Sequence, residues 1–126
     1  MDKELRDKGL AVRKAVLGAE HVERSFKTAD EFSMPLQDLV TEYCWGAVWT
    51  REGLPRKSRS LINLGMLSAL NRPHELKLHI RGALNNGVTR DEIKEVFLQV
   101  AIYCGVPAAV ESFRLAREVF AELDGK

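Results

Sequence analysis

Two histidines, a glutamate and two arginines lie between Arg72 and Arg81, in the stretch NRPHELKLHIRGALNNG (residues 71–87). Such side chains can hold a metal, move a proton or grip an anion, and their spacing tests each option. The H-E-x-x-H zinc motif sets its histidines four apart on one helix face. His74 and His79 are five apart, which turns the two rings about 140° from one another. No cysteine is near, and the third histidine is the distant His21, so no metal is expected. A nucleophilic site has little support. There is no G-x-S-x-G, and Cys44 and Cys104 are sixty positions apart with no C-x-x-C pair. Both cysteines are expected to be buried small apolar groups.

Acid–base and electrostatic chemistry fits the cluster better. Glu75 and His79 are four apart and share a helix face. A carboxylate there favours the imidazolium and raises the histidine's pKa. His74 and Glu75 fall in the first helical turn, where free N–H groups favour an anion. Arg72 and Arg81 add fixed positive charge, so a small anion suits the place. The plainer alternative stays open: Glu75 complements the helix dipole and His79 is a satisfied core histidine. Trp45 and Trp49, also four apart, are core, a subunit interface or the wall of a pocket that excludes water.

The elements that carry these residues read as helices almost throughout. Apolar residues recur at helical spacing and strict alternation is absent, so the fold is expected to be all-α, a bundle of about six or seven helices. Residues 2–17 form an amphipathic helix closed by Gly18, and 20–28 a short second one. Ser33 is placed to cap a helix from Met34 to about Thr50, with Pro35 in its first turn. Its apolar side is Leu36, Leu39, Val40, Tyr43, Ala47 and Val48. Residues 60–70 are apolar nearly all round and should be the most buried helix. Pro73 opens the helix of the cluster, holding Arg72 extended, and Gly87 stops it. Thr89 and Glu92 read as a capping box, followed by a buried stripe of Ile93, Val96, Phe97, Val100, Ala101 and Cys104. Past Gly105-Val106-Pro107, a last helix turns Ala109, Phe113, Ala116, Phe120 and Leu123 inward.

At 126 residues the chain is expected to be a single domain, with residues 1–30 as an N-terminal helical arm and 31–126 as the core. Lys plus Arg number 19 and Asp plus Glu 18, so no charge excess draws it to nucleic acid or an anionic membrane. No apolar run approaches the roughly 20 residues of a membrane span. Without a signal-peptide pattern the expected setting is cytoplasmic.

Three pieces are more specific: Tyr43-Cys44-Trp45-Gly46 with Trp49, the stretch RPHELKLHIRGALNNG, and Tyr103-Cys104-Gly105-Val106-Pro107-Ala108-Ala109. Together they resemble the carboxymuconolactone decarboxylase family, from about Leu39 to Glu118. The wider superfamily includes the alkylhydroperoxidase-D (AhpD-like) type, with C-x-x-C-x-x-x-H and an upstream glutamate. Setting His79 on that histidine puts Arg72 and Glu75 at the cysteines and Ser60 near the glutamate. Thiols and acid are all missing, which argues against a peroxidase.

The resemblance implies an AhpD-like fold and a cofactor-free carboxy-lyase of aromatic (protocatechuate) catabolism, converting 4-carboxymuconolactone to β-ketoadipate enol-lactone. It implies a small anionic lactone as substrate and a homo-oligomer, trimer or hexamer. His79 would then supply the proton or a bond to the oxyanion, held by Glu75. His74 would bind the oxyanion or a carboxylate. Arg72, with Arg59 or Arg81, would grip the acetate arm, and Trp45 and Trp49 would exclude water. Two rivals remain: a family member acting on another lactone or acid, and a non-enzymatic helix-turn-helix-like module with Pro107–Arg117 as recognition helix. Near-zero net charge counts against the second.

Overall fold

A computed structural model describes residues 2–126. Among them are seven α-helices, one π-helical segment and no strand, as the helical spacing requires. The chain gathers into two compact units, Met1–Pro55 and Arg56–Lys126. No helix among the described residues is long and apolar enough to cross a membrane.

The first unit holds α1 (Lys3–Leu17), α2 (Ala19–Thr28), α3 (Met34–Leu39) and the π-helical segment Val40–Val48. Asp2 caps α1 by accepting the Leu5 N–H at 3.1 Å, and Gly18 ends it at φ 93°. Ser33 does not cap α3 with its side chain. Its hydroxyl turns back, accepting the Asp30 N–H at 3.0 Å and donating to Asp30 Oδ1 at 3.1 Å.

The largest departure is at Val40, where the single α-helix expected to reach Thr50 becomes π-helical. Each π turn takes up an extra residue, so the buried side rotates away from the 3.6-residue stripe. Thr41, Glu42, Trp45 and Gly46 are buried, while Leu36, Leu39, Tyr43 and Val48 of the expected apolar side are exposed. α1 packs on this segment. Arg13 of α1 is buried there, donating to Thr41 Oγ1 at 3.1 Å and Gln37 Oε1 at 2.9 Å. Its guanidinium also lies 5.5 Å from the centre of the Phe26 ring.

The second unit comprises α4 (Arg56–Ala69), α5 (Pro73–Asn85), α6 (Arg90–Tyr103) and α7 (Val106–Leu123). α5 and α6 both pack on α4 and on α7. Their core includes Leu64, Leu76, Ile80, Ile93, Phe97 and Val119. The Thr89–Glu92 capping box is present with both reciprocal bonds, and Gly87 leaves α5 at φ 88°.

α4 is not the most buried helix. Its buried line is Ser60, Leu64 and Ser68, whereas Ile62, Met66 and Leu70 are exposed. Small serines on that line let neighbours come close: Ser60 Oγ accepts from Asn86 Nδ2 at 2.9 Å, and Ser112 Oγ donates to Ser68 Oγ at 2.8 Å. Two other inward assignments also fail. Leu123, in the last turn of α7, is exposed. Cys44 and Cys104 are both exposed as residues; Cys104 is the C-cap of α6.

Candidate active site

α5 positions the cluster. Asn71, at φ 56°, makes the left-handed turn after α4, and Arg72 follows at φ −112°, ψ 77°. Pro73 then begins α5 with a backbone already set for a helix and no N–H to satisfy. Leu76, Ile80 and Ala83 bury one face of α5. That fixes where the polar residues stand: Arg72, His74 and Glu75 are exposed at the start, and His79 is half-buried beside the core line.

His79 meets Asn63, a residue that helical spacing alone does not single out. Asn63 Nδ2 of α4 lies 3.5 Å from His79 Nδ1, a long contact at the edge of hydrogen-bond range. If the amide donates, Nδ1 is the acceptor and the ring proton sits on Nε2. The available signal was an amide at position 63 in an otherwise apolar run.

The electrostatics overturn one expectation. Glu75 does pull the His79 pKa upward, but burial of the ring outweighs it and takes the value from 6.5 down to about 4. Near pH 7 the imidazole is therefore neutral, with roughly one ring in a thousand protonated. A neutral imidazole is a poor acid but a good hydrogen-bond donor through Nε2–H.

This shift has a consequence for stability. Unfolded, the ring takes up a proton below about pH 6.5; folded, it refuses one until about pH 4. The protein therefore loses stability as pH falls through that window, by up to about 3 kcal/mol from this group. Urea unfolding of the wild type and His79→Gln at pH 7 and pH 4.5 measures it. The variant should lose about 2 kcal/mol less than the wild type between the two pH values. Identical losses would show that the ring is not desolvated.

The remaining residues divide. Arg81 forms an ion pair with Glu122 of α7, which also accepts from Lys77 at 2.9 Å. Much of the Arg81 charge is thus already matched. Arg59 is half-buried on α4. Trp45 and Trp49 belong to the first unit, where they are buried and stacked with ring centres 4.8 Å apart, as core residues would be. Desolvation raises the Cys44 thiol pKa, with only partial relief from Arg13, which does not favour a nucleophile. Among the described residues no group of three or more His, Cys, Asp or Glu is placed to hold a metal.

A cavity of about 310 Å³ in the second unit is lined by Arg72 and Leu76 but by neither histidine. α4 and α5 run antiparallel, Ser60 meeting Asn86 and Asn63 meeting His79. Leu67 and Leu76, both lining the cavity, follow one turn further along the pair. Arg72 and His79 are thus placed at successive levels of one helix pair.

Residues 35–118 match the model of the carboxymuconolactone decarboxylase family. The chain is 43% identical to 4-carboxymuconolactone decarboxylase of Acinetobacter baylyi, over 97% of its own length and 91% of that protein. It is 44% identical to nitrosuccinic acid decarboxylase of Metarhizium robertsii, over 100% of its length and 88% of that one. An uncharacterized 15.0 kDa protein of Paracoccus denitrificans is 36% identical over 68% of this chain and 65% of its own. The matched region includes Arg72, His74, Glu75 and His79, and the chain belongs to the carboxymuconolactone decarboxylase family.

Proposed function

We propose that this chain is a carboxy-lyase that converts 4-carboxymuconolactone to β-ketoadipate enol-lactone, a step in protocatechuate catabolism. The observation that carries the reading is the near full-length 43% identity to the decarboxylase of that name. The substrate is a butenolide whose reacting carbon bears a carboxylate and an acetate arm. When the C–CO2 bond breaks, its electron pair runs through the ring C=C to the lactone carbonyl, giving a dienolate. A proton then adds to the carbon beside that carbonyl. The electron sink is built into the substrate, so the reaction needs no cofactor.

His79 is assigned the oxyanion. Its neutral ring, with Asn63 at Nδ1, presents Nε2–H to the oxygen on which charge develops, and a donor in a desolvated place is worth most there. Glu75 orients the ring and keeps its pKa from falling further. Arg72 binds the acetate arm, because guanidinium matches carboxylate geometry; Arg59, next to the Ser60–Asn86 contact, stands at the other end of the helix pair. His74, exposed in the first turn of α5, is turned away from His79 and is given no part in the proton transfer. The carboxylate that leaves should meet no strong cation, since only interactions that strengthen in the transition state raise the rate.

A second reading has its own observation, the 44% identity to nitrosuccinic acid decarboxylase. Nitrosuccinate also loses CO2 from a carbon that bears an electron-accepting group, here nitro, and a –CH2–COO⁻ arm. The same residues would serve it.

Assembly as a homo-oligomer is part of the proposal. Ile102 and Tyr103 are 80% and 83% exposed, and Val106 and Val110 beside them are 62% exposed, an apolar patch of the kind that contacts between subunits cover. Two free, exposed cysteines favour a reducing, cytoplasmic setting. The testing experiment generates 4-carboxymuconolactone in situ from protocatechuate and adds this protein with and without a chelator. CO2 release and enol-lactone formation unaffected by the chelator are expected. No turnover of the lactone, with turnover of nitrosuccinate, would select the second reading.

A further inference from the structure

The cavity beside Arg72 has a polarity that constrains what it can hold. Leu67, Leu76 and Leu115 form its apolar wall, and Ser68 and Ser112, 3% and 1% exposed, lie at its base. Ser68 donates to the Leu64 carbonyl at 2.7 Å. Ser112 has one proton for two acceptors, the Ala108 carbonyl at 2.9 Å and Ser68 Oγ at 2.8 Å. Both hydroxyl protons are thus committed, and the base offers lone pairs alone, which repel a carboxylate. Glu111, on another wall, already accepts from Arg114 Nε at 3.0 Å. The cation left for an anion is Arg72, exposed at the mouth, whose guanidinium makes no ion pair or hydrogen bond among the described residues. The turn that places it is closed by the Asn71 N–H to Ser68 O at 3.3 Å and the Arg72 N–H to Leu67 O at 3.1 Å.

We infer that this cavity and the neighbouring His79 form one elongated seat for a succinate substituted by an electron-accepting group at the carbon that loses CO2. The inference rests on the decarboxylase reading and adds the substrate class and its orientation. Arg72 holds the carboxylate of the –CH2–COO⁻ arm, the one the reaction retains. The carbon losing CO2 lies among Leu67, Leu76 and Leu115, and the electron-accepting group points along α5 to His79. Seven steps along the chain, from the N-cap of α5, take Arg72 to His79, about 10 Å along the axis, a span that two side chains and a compact dianion can bridge. Both 4-carboxymuconolactone and nitrosuccinate contain this succinate unit, and they differ in the acceptor. In each the C–CO2 bond breaks heterolytically, its electron pair goes to the acceptor oxygen, a proton adds to carbon and CO2 leaves. The departing carboxylate is held against leucines with no cation of its own, so dispersal of its charge is favoured as the bond breaks.

Binding of inert analogues tests the seat without requiring turnover. Succinate lacks the acceptor, and butyrate replaces the departing carboxylate by a methyl group. Calorimetric titration of the full chain should show both binding, with butyrate no weaker than succinate. Arg72→Gln should weaken both by about tenfold or more, the loss of one charge-assisted pair. Ala69→Leu, at an exposed cavity-lining position where folding is not at risk, should weaken both as well. Butyrate binding tenfold weaker than succinate, or either variant binding like wild type, overturns the seat. Turnover of the lactone with unchanged KM in both variants overturns the seat and leaves the decarboxylase standing. Arg72-dependent binding with no turnover of the lactone or of nitrosuccinate overturns the decarboxylase reading and leaves the anchor.

Discussion

His79→Ala is expected to fold normally and to lose roughly 10²–10³-fold in kcat, the usual cost of removing one oxyanion donor. KM should change little, because the bond to His79 strengthens only as charge reaches the acceptor oxygen. The pH profile decides between two roles for the ring. A donor keeps its Nε2–H in both states of the ring, so kcat should stay level as pH rises through about 4 and across neutral pH. An imidazolium acid would instead lose activity as pH rises through the same value. His79→Gln retains a donor amide and should recover part of the loss, whereas Asn63→Leu, which removes the partner at Nδ1, should lower kcat by about tenfold through loss of orientation. Wild-type turnover by folded His79→Ala would remove the imidazole from the mechanism. The reading would then have to rest on Arg72 and the desolvated carboxylate.

What could be read in the sequence was local. The Thr89–Glu92 box was legible because its bonds close within four residues, and Pro73 and Gly87 marked the ends of α5 for the same reason. The all-α class followed from spacing alone, and the resemblance reached the family from three short stretches. The π-helical segment was not legible, because a 3.6-residue period was imposed on residues that turn more widely. Within the segment the expected apolar side therefore landed on exposed Tyr43 and Val48, and the buried side fell on Thr41, Glu42 and Trp45; Leu36 and Leu39, also expected inside, are exposed on α3, which buries no residue. α4 misled differently. Apolar on every side, it read as central, yet Ile62 and Met66 are exposed and a serine line does the packing. The cluster on α5 was visible, but the balance at His79 was not. Its Glu75 neighbour is local and its burial is tertiary, and burial wins. Asn63 was missed because only the pairing of α4 with α5 brings it to the ring.

Gly9→Ala is expected to be strongly destabilising. α1 crosses the π-helical segment backbone to backbone at this point. A Cβ on Gly9 would run into the Thr41 carbonyl oxygen and come within 2.6 Å of the Gly46 nitrogen. The reciprocal position is as tight: a Cβ on Gly46 would lie 2.5 Å from the Leu5 carbonyl oxygen. These are main-chain atoms and cannot swing aside like a side-chain end, so the helices must separate and open the packing around Val12, Val16 and Trp45. Overpacking of this kind costs about 3 kcal/mol or more, set against the few tenths to 1 kcal/mol that alanine gains over glycine in a helix. Gly65→Ala in α4 isolates the second term. Nothing lies within 4 Å of its added Cβ, so this variant should be stabilised by about 0.5–1 kcal/mol. Urea denaturation compares the two, and hydrogen exchange locates the damage. Gly9→Ala should lose protection in α1 and the π-helical segment first. Equal stability of Gly9→Ala and wild type would mean that α1 and the π-helical segment do not meet through their glycines.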